Sequence, residues 1–276
     1  MLHTRRNVMR QLLKETVRKI LNACGFEIMR RTTRPATWAG VLDHISESGF
    51  KPGTVFDIGV ADGTFELYEA FPDAIHLLVE PLEEFEDALR DIARKYKAEY
   101  VMAAASDMLG TLTINVEPVL DGSSILEQTE GSLSDSIPRQ VPAVTIDSLC
   151  DERDLKGPYV IKVDAEGAEL LVLGGAKKTL EDTDLVILEV LLFRFYRNAP
   201  QLYDVVSYMK DHGFVVYDIF GNQYRPLDGA LAWIDMAFVK EDGRFRRHHS
   251  YATREQLKEV IKRTSDKLSA LKRKRD

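Results

Sequence analysis

The chain has 276 residues, 45% of them apolar and 29% charged, a composition that excludes disordered, collagen-like and membrane-spanning classes. Its two cysteines, Cys24 and Cys150, are too few for a disulfide scaffold or a cysteine-rich zinc site, which points to a reducing compartment. The net charge of −7 is unevenly spread: residues 1–34 carry about +7, residues 240–276 about +7, and the body between them is near −21. An acidic body of this kind repels phosphate, so nucleic acid is not an expected partner.

The first expected element is an amphipathic helix over residues 5–24, with Val8, Leu12, Leu13, Val17, Ile20 and Leu21 spaced by three and four. Gly25 caps it, and Arg30, Arg31 and Arg34 follow. Lys14, Glu15, Arg18 and Lys19 interrupt its apolar run and no small-residue cleavage site follows, so it does not read as a signal peptide. No stretch approaches the ~20 apolar residues of a bilayer span. The expectation is a cytoplasmic protein. Its basic N-terminal helix suits an anionic membrane surface, but packing on the acidic body or on another subunit of a homo-oligomer is the preferred reading. Pro35 marks a joint, so three parts are expected: a basic N-terminal segment (1–34), a central domain (35–240) and a basic C-terminal helix (241–276).

Within the central domain a helix over 37–48 ends at Gly49, and strands then alternate with helices. Strands are expected at 54–59, 76–79, 100–105, 159–163 and 185–190, with helices at the stretch ending near Phe71 and at 85–96, 168–180 (with a bend at Gly174-Gly175) and 201–211. Extended pieces at 111–116 and 141–146 flank a Ser/Gly/Asp-rich loop, 121–139. Strands at 214–220 and 231–239 have no helix between them and should pair antiparallel. The pattern predicts an α/β three-layer sandwich around a mostly parallel sheet. The C-terminal helix, 253–274, carries Leu257, Ile261, Thr264, Leu268 and Leu271 at heptad spacing over about two heptads. The KRKR run at its end lacks the aromatic platforms of a nucleic-acid site.

The strongest chemical signal is VFDIGVADGTFE, residues 55–66: an apolar strand running through Asp57, Gly59, Asp62 and Gly63 into a helix. The glycines allow a tight turn and close approach of a ligand to the backbone, and the helix start offers free amides. The Gly-x-x-x-Gly spacing departs from the Gly-x-Gly-x-x-Gly dinucleotide fingerprint. Two carboxylates stand where a pyrophosphate would bind, so a ligand with cationic groups suits the loop better, and S-adenosylmethionine is such a ligand. Glu80, ending the second strand, can accept both ribose hydroxyls of either a nicotinamide or an adenosyl cofactor. Ser106 and Asp107, after the third strand, occupy the position expected for adenine contacts. In YVIKVDAEGAELLVLGGA, residues 159–176, Lys162 and Asp164 share one face of a strand, and Asp164 reaches the carboxyl end of the sheet. Glu166 and Glu169 open the next helix, where the dipole favours carboxylates.

DIGVADGTFE, LLVEP, AAASDMLGTLTI, SSIL, VPAVTIDSL and IKVDAEGAELLVLGGA, taken together and in order, resemble the FkbM family of S-adenosylmethionine-dependent methyltransferases over about residues 38–240. The Asp-x-Glu-Gly-x-Glu block is the most specific part. The resemblance implies a class I methyltransferase (Rossmann-like) fold, with seven strands, mostly parallel, and the last strand antiparallel. It also implies methyl transfer to an oxygen of a sugar, glycoconjugate, polyketide or other hydroxylated small molecule. Carried over by position, Asp57, Gly59 and Gly63 shape the cofactor loop, with Asp62 standing where the family often has Asn. Glu80 takes the ribose, Ser106 and Asp107 edge the adenine, and Asp164 and Glu166 face the reacting methyl as catalytic groups. A general base is worth roughly 10²–10⁴ in such a transfer; a divalent metal such as Mg²⁺, held by Asp164 and Glu189, is the alternative. Catechol-type relatives place Asn after the later carboxylate, where this chain has Val190. A nicotinamide oxidoreductase and a non-catalytic scaffold binding a nucleoside, membrane or partner are the competing readings.

Overall fold

The computed structural model describes residues 36–129 and 136–272, together with scattered positions between 16 and 24. The expected N-terminal helix and the arginine cluster after it therefore lie largely outside the described residues. Among the described residues, no helix is long and apolar enough to cross a membrane.

Strands β1 (Thr54–Ile58), β2 (Ile75–Glu80), β3 (Ala98–Met102), β7 (Tyr159–Val163), β8 (Thr183–Leu191), β9 (Phe214–Tyr224) and β10 (Leu231–Lys240) form one sheet in the order β3-β2-β1-β7-β8-β10-β9. The pairings β1–β2, β1–β7, β2–β3 and β7–β8 are parallel, while β10 runs antiparallel to both β8 and β9. This is the class I methyltransferase arrangement that the motifs imply. Strands β1 and β7 are buried along their whole length, as strands of a sheet covered on both faces must be, with Asp57 and Lys162 as the charged exceptions among their apolar residues.

Helices α1 (Trp38–Glu47), α2 (Phe65–Ala70) and α3 (Glu86–Lys95) cover one face through Val41, Leu42, Ile45, Leu67, Leu89 and Ile92. Helices α4 (Ile146–Arg153), α5 (Glu169–Gly174) and α6 (Leu202–Asp211) cover the other through Ile146, Leu149, Val172, Leu173, Val205 and Met209. The strand period of two sends Val55 and Asp57 to the first face, and Phe56 and Ile58 to the second. Thr37 starts α1 by accepting the Gly40 amide, a cap worth about 1 kcal/mol.

Three expectations need correction. The strand expected over 100–105 is broken at Ala103: β4 (Ala104–Ala105) leaves the main sheet and joins β5 (Gly110–Val116) and β6 (Ile137–Val144) in a separate sheet ordered β4-β6-β5. That small sheet has its own apolar centre in Leu82, Ala104, Ile114, Val116 and Val141. The extended piece expected to reach Ile146 stops at Val144, because the Thr145 side chain takes the Ser148 amide and starts α4 there. The helix expected over 168–180 ends at Gly174, where a Cβ on Gly175 would stand 2.0 Å from the Ser106 carbonyl oxygen. A last helix, α7 (Arg254–Lys272), follows β10.

Candidate active site

The carboxyl ends of β1, β2, β7 and β8 and the amino-terminal half of the antiparallel β10 converge on one cleft of about 490 Å³, within the size range of small-molecule sites. β1 delivers Gly59, β2 Glu80, β7 Asp164, β8 Glu189 and β10 Asp235. Leu82, Phe85, Ala104, Ala105, Ile114 and Ile125 add an apolar wall, and Trp38 and Trp233 line the cleft with Asp235.

The turn after β1 is shaped by backbone that only small residues tolerate. Gly59 has φ +69°, and a Cβ there would lie 1.7 Å from the Asp164 carbonyl oxygen, so β1 and β7 can approach only because this residue is glycine. Ala61 also sits in the left-handed region, at φ +47°. Its amide donates to Glu80 Oε2 at 3.0 Å, and the Leu82 amide donates to Glu80 Oε1 at 2.9 Å. Both carboxylate oxygens are thus fixed by backbone and each retains a lone pair for a ligand hydroxyl. Burial raises the Glu80 pKa, opposed by these two amides.

Behind the loop lies a buried ion pair. Asp57 is fully buried; it accepts from Tyr68 Oη at 2.5 Å and stands 3.2 Å from Lys162 Nζ, its register partner on β7. Lys162 donates to the Gly59 carbonyl at 2.7 Å and lies 3.7 Å from Asp164 Oδ2. Burial pulls the lysine down, but Asp57 and Asp164 outweigh it and hold the ammonium above its usual range. Lys162 therefore ties the cofactor loop to the Asp-x-Glu-Gly segment, with a charge that offsets two carboxylates.

The Asp-x-Glu-Gly segment presents the other acids. Glu166 has φ +50°, a strained setting for a side-chain-bearing residue. Tyr196 Oη lies 2.8 Å from Glu166 Oε2 and 3.1 Å from the Gly122 carbonyl oxygen, and Ser124 Oγ donates to the Glu166 carbonyl at 2.8 Å. Burial and then the Asp164 charge push Glu166 up to about 8, against the tyrosine hydrogen bond. Glu169 instead accepts the Ala165 and Gly167 amides and holds the turn; burial raises it to about 7. Asp235 accepts the Trp38 indole at 2.8 Å, and burial and Asp164 raise it to about 7. Burial, then Asp164 and Glu166, also raises Glu189. One oxygen from each of Asp164, Glu166 and Glu189 comes within 4.8 Å of the others, an all-oxygen set that suits a hard divalent cation.

Of the residues expected to meet ligand, Gly59, Asp62, Gly63, Glu80, Asp164, Glu166 and Glu189 line the cleft. Three others are placed elsewhere. Asp57 has no exposed surface and supports the loop from behind through Lys162 and Tyr68. Ser106 is buried with its carbonyl against Gly175, and Asp107 follows it against Gly174. Neither is among the residues lining the cleft, where Ala104 and Ala105 of β4, just before them, are. Tyr196, Asp235 and Trp38 were not foreseen. Tyr196 lies in an aromatic run without periodicity, and Trp38 and Asp235 are 197 residues apart.

The model of the FkbM methyltransferase domain matches residues 57–216, from the loop aspartate into β9. The chain belongs to the FkbM methyltransferase family. A stretch of 85 residues is 29% identical to the hexuronic acid methyltransferase AglP of Haloferax volcanii, covering 31% of this chain and 33% of that protein, so the chain matches about a third of this relative's length. Similar solved structures include the N-methyltransferase NodS of Bradyrhizobium japonicum, at 10% identity and TM-score 0.40, over 73% of this chain and 93% of that one. Another is the magnesium protoporphyrin IX methyltransferase ChlM of Synechocystis, solved with bound S-adenosylmethionine, at 13% identity and TM-score 0.39, over 73% and 79%. The family match ends before β10, so the strand that carries Trp233 and Asp235 lies beyond it.

Proposed function

We propose that this FkbM protein is an O-methyltransferase that uses S-adenosylmethionine and acts on a hydroxyl of a sugar, polysaccharide or glycoconjugate. The observation that carries it is the convergence of a glycine loop, an amide-anchored Glu80 and a group of partly protonated carboxylates on one cleft. The cofactor, when bound, supplies a methyl group on a sulfonium, which leaves as a neutral thioether. Glu80 has free lone pairs for the ribose, and Gly59 and Gly63 line the cleft beside it. Asp62, Asp164 and Glu166 line the part of the cleft assigned to the ammonium and sulfonium. Fixing the reacting atoms in line supplies much of the rate.

Glu166 is the group best suited to take the acceptor proton. Its pKa of about 8 lies near working pH, as general-base catalysis favours, and Tyr196 holds its carboxylate in place. The sugar reading draws on AglP, whose name specifies a hexuronic acid; a polyketide or other natural-product hydroxyl is the alternative acceptor. The three-carboxylate set of Asp164, Glu166 and Glu189 favours a second reading of the acid–base chemistry, in which they hold a cation such as Mg²⁺. Such an ion would acidify a bound hydroxyl. The catalytic unit on this reading is residues 35–240.

Thermal unfolding tests the cofactor assignment. S-adenosylmethionine or S-adenosylhomocysteine at a hundred times its dissociation constant stabilises by about 2.7 kcal/mol, a shift of several degrees. Glu80→Ala reduces that shift, and nicotinamide cofactors give none. No shift with either adenosyl ligand in a folded sample would favour the non-catalytic scaffold. Methyl transfer from labelled cofactor to a panel of neutral and uronic-acid glycosides, with and without chelator, then separates acceptor classes and metal dependence.

A further inference from the structure

Helix α7 leaves the methyltransferase domain after β10, and every one of its residues whose burial is described is exposed. Leu257, Val260, Ile261, Leu268 and Leu271 are 40, 47, 67, 56 and 53% exposed, a row of large aliphatic side chains open to solvent among the described residues. A turn of about 100° per residue gathers these five, with Thr264, into an arc of about 100°. The charges are sorted around the same helix. Arg254 and Lys258 follow one side of the arc, Lys262 stands next to Glu255 near the far pole, and Arg263, paired with Glu259, lies beyond Gln256 on the other side. Glu255, Glu259 and Asp266 fall within about 40° of one another, directly opposite the apolar arc. Residues 254–276 as a whole hold nine Lys/Arg and four Asp/Glu.

We infer that α7 is an interfacial helix that docks the protein on an anionic lipid bilayer. An apolar stripe bordered by cations, with the carboxylates at the opposite pole, lets aliphatic side chains enter the headgroup boundary while the cations meet lipid phosphate. The acidic pole then faces water. The body of the protein, near −21 over residues 35–239, is repelled by the same surface and stays clear of it. A second copy is a poorer occupant, because Thr264 interrupts a stripe of only about two heptads, too short for a stable two-stranded coil.

Co-sedimentation of the full chain with extruded vesicles tests this. The expected result is binding to equimolar phosphatidylcholine–phosphatidylglycerol vesicles and none to phosphatidylcholine alone. Binding is lost when salt shortens the screening length from about 10 Å at 0.1 M to about 3 Å at 1 M. Arg254→Gln with Lys258→Gln lowers the partition coefficient about 30-fold, at about one decade or less per cation. Ile261→Asp with Leu268→Asp abolishes binding, whereas Glu255→Gln leaves it intact. The variants lie on exposed positions, and an unchanged thermal midpoint verifies that the domain is folded. Three results overturn the inference: no binding of wild type to either vesicle, binding that the α7 variants leave unchanged (which would place contact in the N-terminal segment), or self-association abolished by the Ile261/Leu268 pair without vesicle binding.

Discussion

Glu189 and Asp235 stand directly opposite each other across the antiparallel pair β8–β10, and both line the cleft. Like charges in that relation repel, and Asp235 is pushed up to about 7 by burial and by Asp164. A carboxyl whose folded pKa is raised binds more protons in the native state than in the unfolded chain. Its stabilising effect is therefore complete below the ordinary aspartate value and is lost as pH rises toward 7. Asp235→Asn keeps an acceptor for the Trp38 indole and removes the charge. The variant should unfold a few degrees above wild type at pH 8 and show little difference at pH 4. Differential scanning fluorimetry across that range checks it; equal slopes for the two proteins would rule the pair out as a source of strain.

Lys162 is the only cation within salt-bridge distance of Asp57 or Asp164 among the described residues. Lys162→Met leaves the Asp57 charge buried without its partner and should cost about 3–5 kcal/mol. Lys162→Met combined with Asp57→Asn should recover a large part of that loss. Denaturant unfolding of the two single variants and the double variant gives the coupling energy directly. Additive losses would mean that the pair is not coupled.

Gly59 and Gly229 both have positive φ, at +69° and +74°, but only Gly59 has backbone in the way. Gly229→Ala meets nothing within 4 Å and should cost about 1 kcal/mol, the conformational penalty alone. Gly59→Ala must push β1 from β7 at the Asp164 carbonyl, so it should cost several-fold more and abolish the cofactor-induced thermal shift. Comparable midpoints for the two variants would contradict the close approach described for β1 and β7.

Tyr196 holds the Glu166 carboxylate and lowers its pKa. Tyr196→Phe removes that hydrogen bond, so Glu166 should lose its proton at higher pH and the acidic limb of the kcat/KM profile should move upward. The general-base contribution at stake is roughly 10²–10⁴, and part of it should return at high pH. An unshifted limb with reduced rate would instead point to the tyrosine's ties to the 117–128 loop, at Gly122 and Gln128.

Much of this architecture is legible in the amino-acid order because its signals are local. Val55-Phe56 and Val160-Ile161 are apolar runs long enough for buried strands, and Gly59 and Gly63 mark the turn that feeds α2. Glu80 and Asp164 are placed at the cleft by strand ends alone. What escapes notice depends on contacts distant in sequence. The break at Ala103 exists because β4 finds β6 about forty residues later, and Ser106 and Asp107, which follow β4, pack against Gly175 and Gly174. Asp235 reads as one polar residue in an alternating strand; only the insertion of β10 beside β8 places it against Glu189. Asp57 has the signature of a ligand-binding carboxylate, and it takes the register of Lys162 to show that it is a buried counter-ion.

The position of β10 also has a consequence for synthesis. The ribosome releases β9 before β10, yet β10 occupies the place between β9 and β8. Until residue 240 has emerged, the growing chain lacks the partner of β8's open edge and the only pairing partner of β9, and its cleft is missing the wall that bears Trp233 and Asp235. A ligand that needs the whole cleft therefore finds it complete only once β10 has been made. During that interval the nascent protein is exposed to edge-to-edge association, and any chaperone that protects it must act on those two strands.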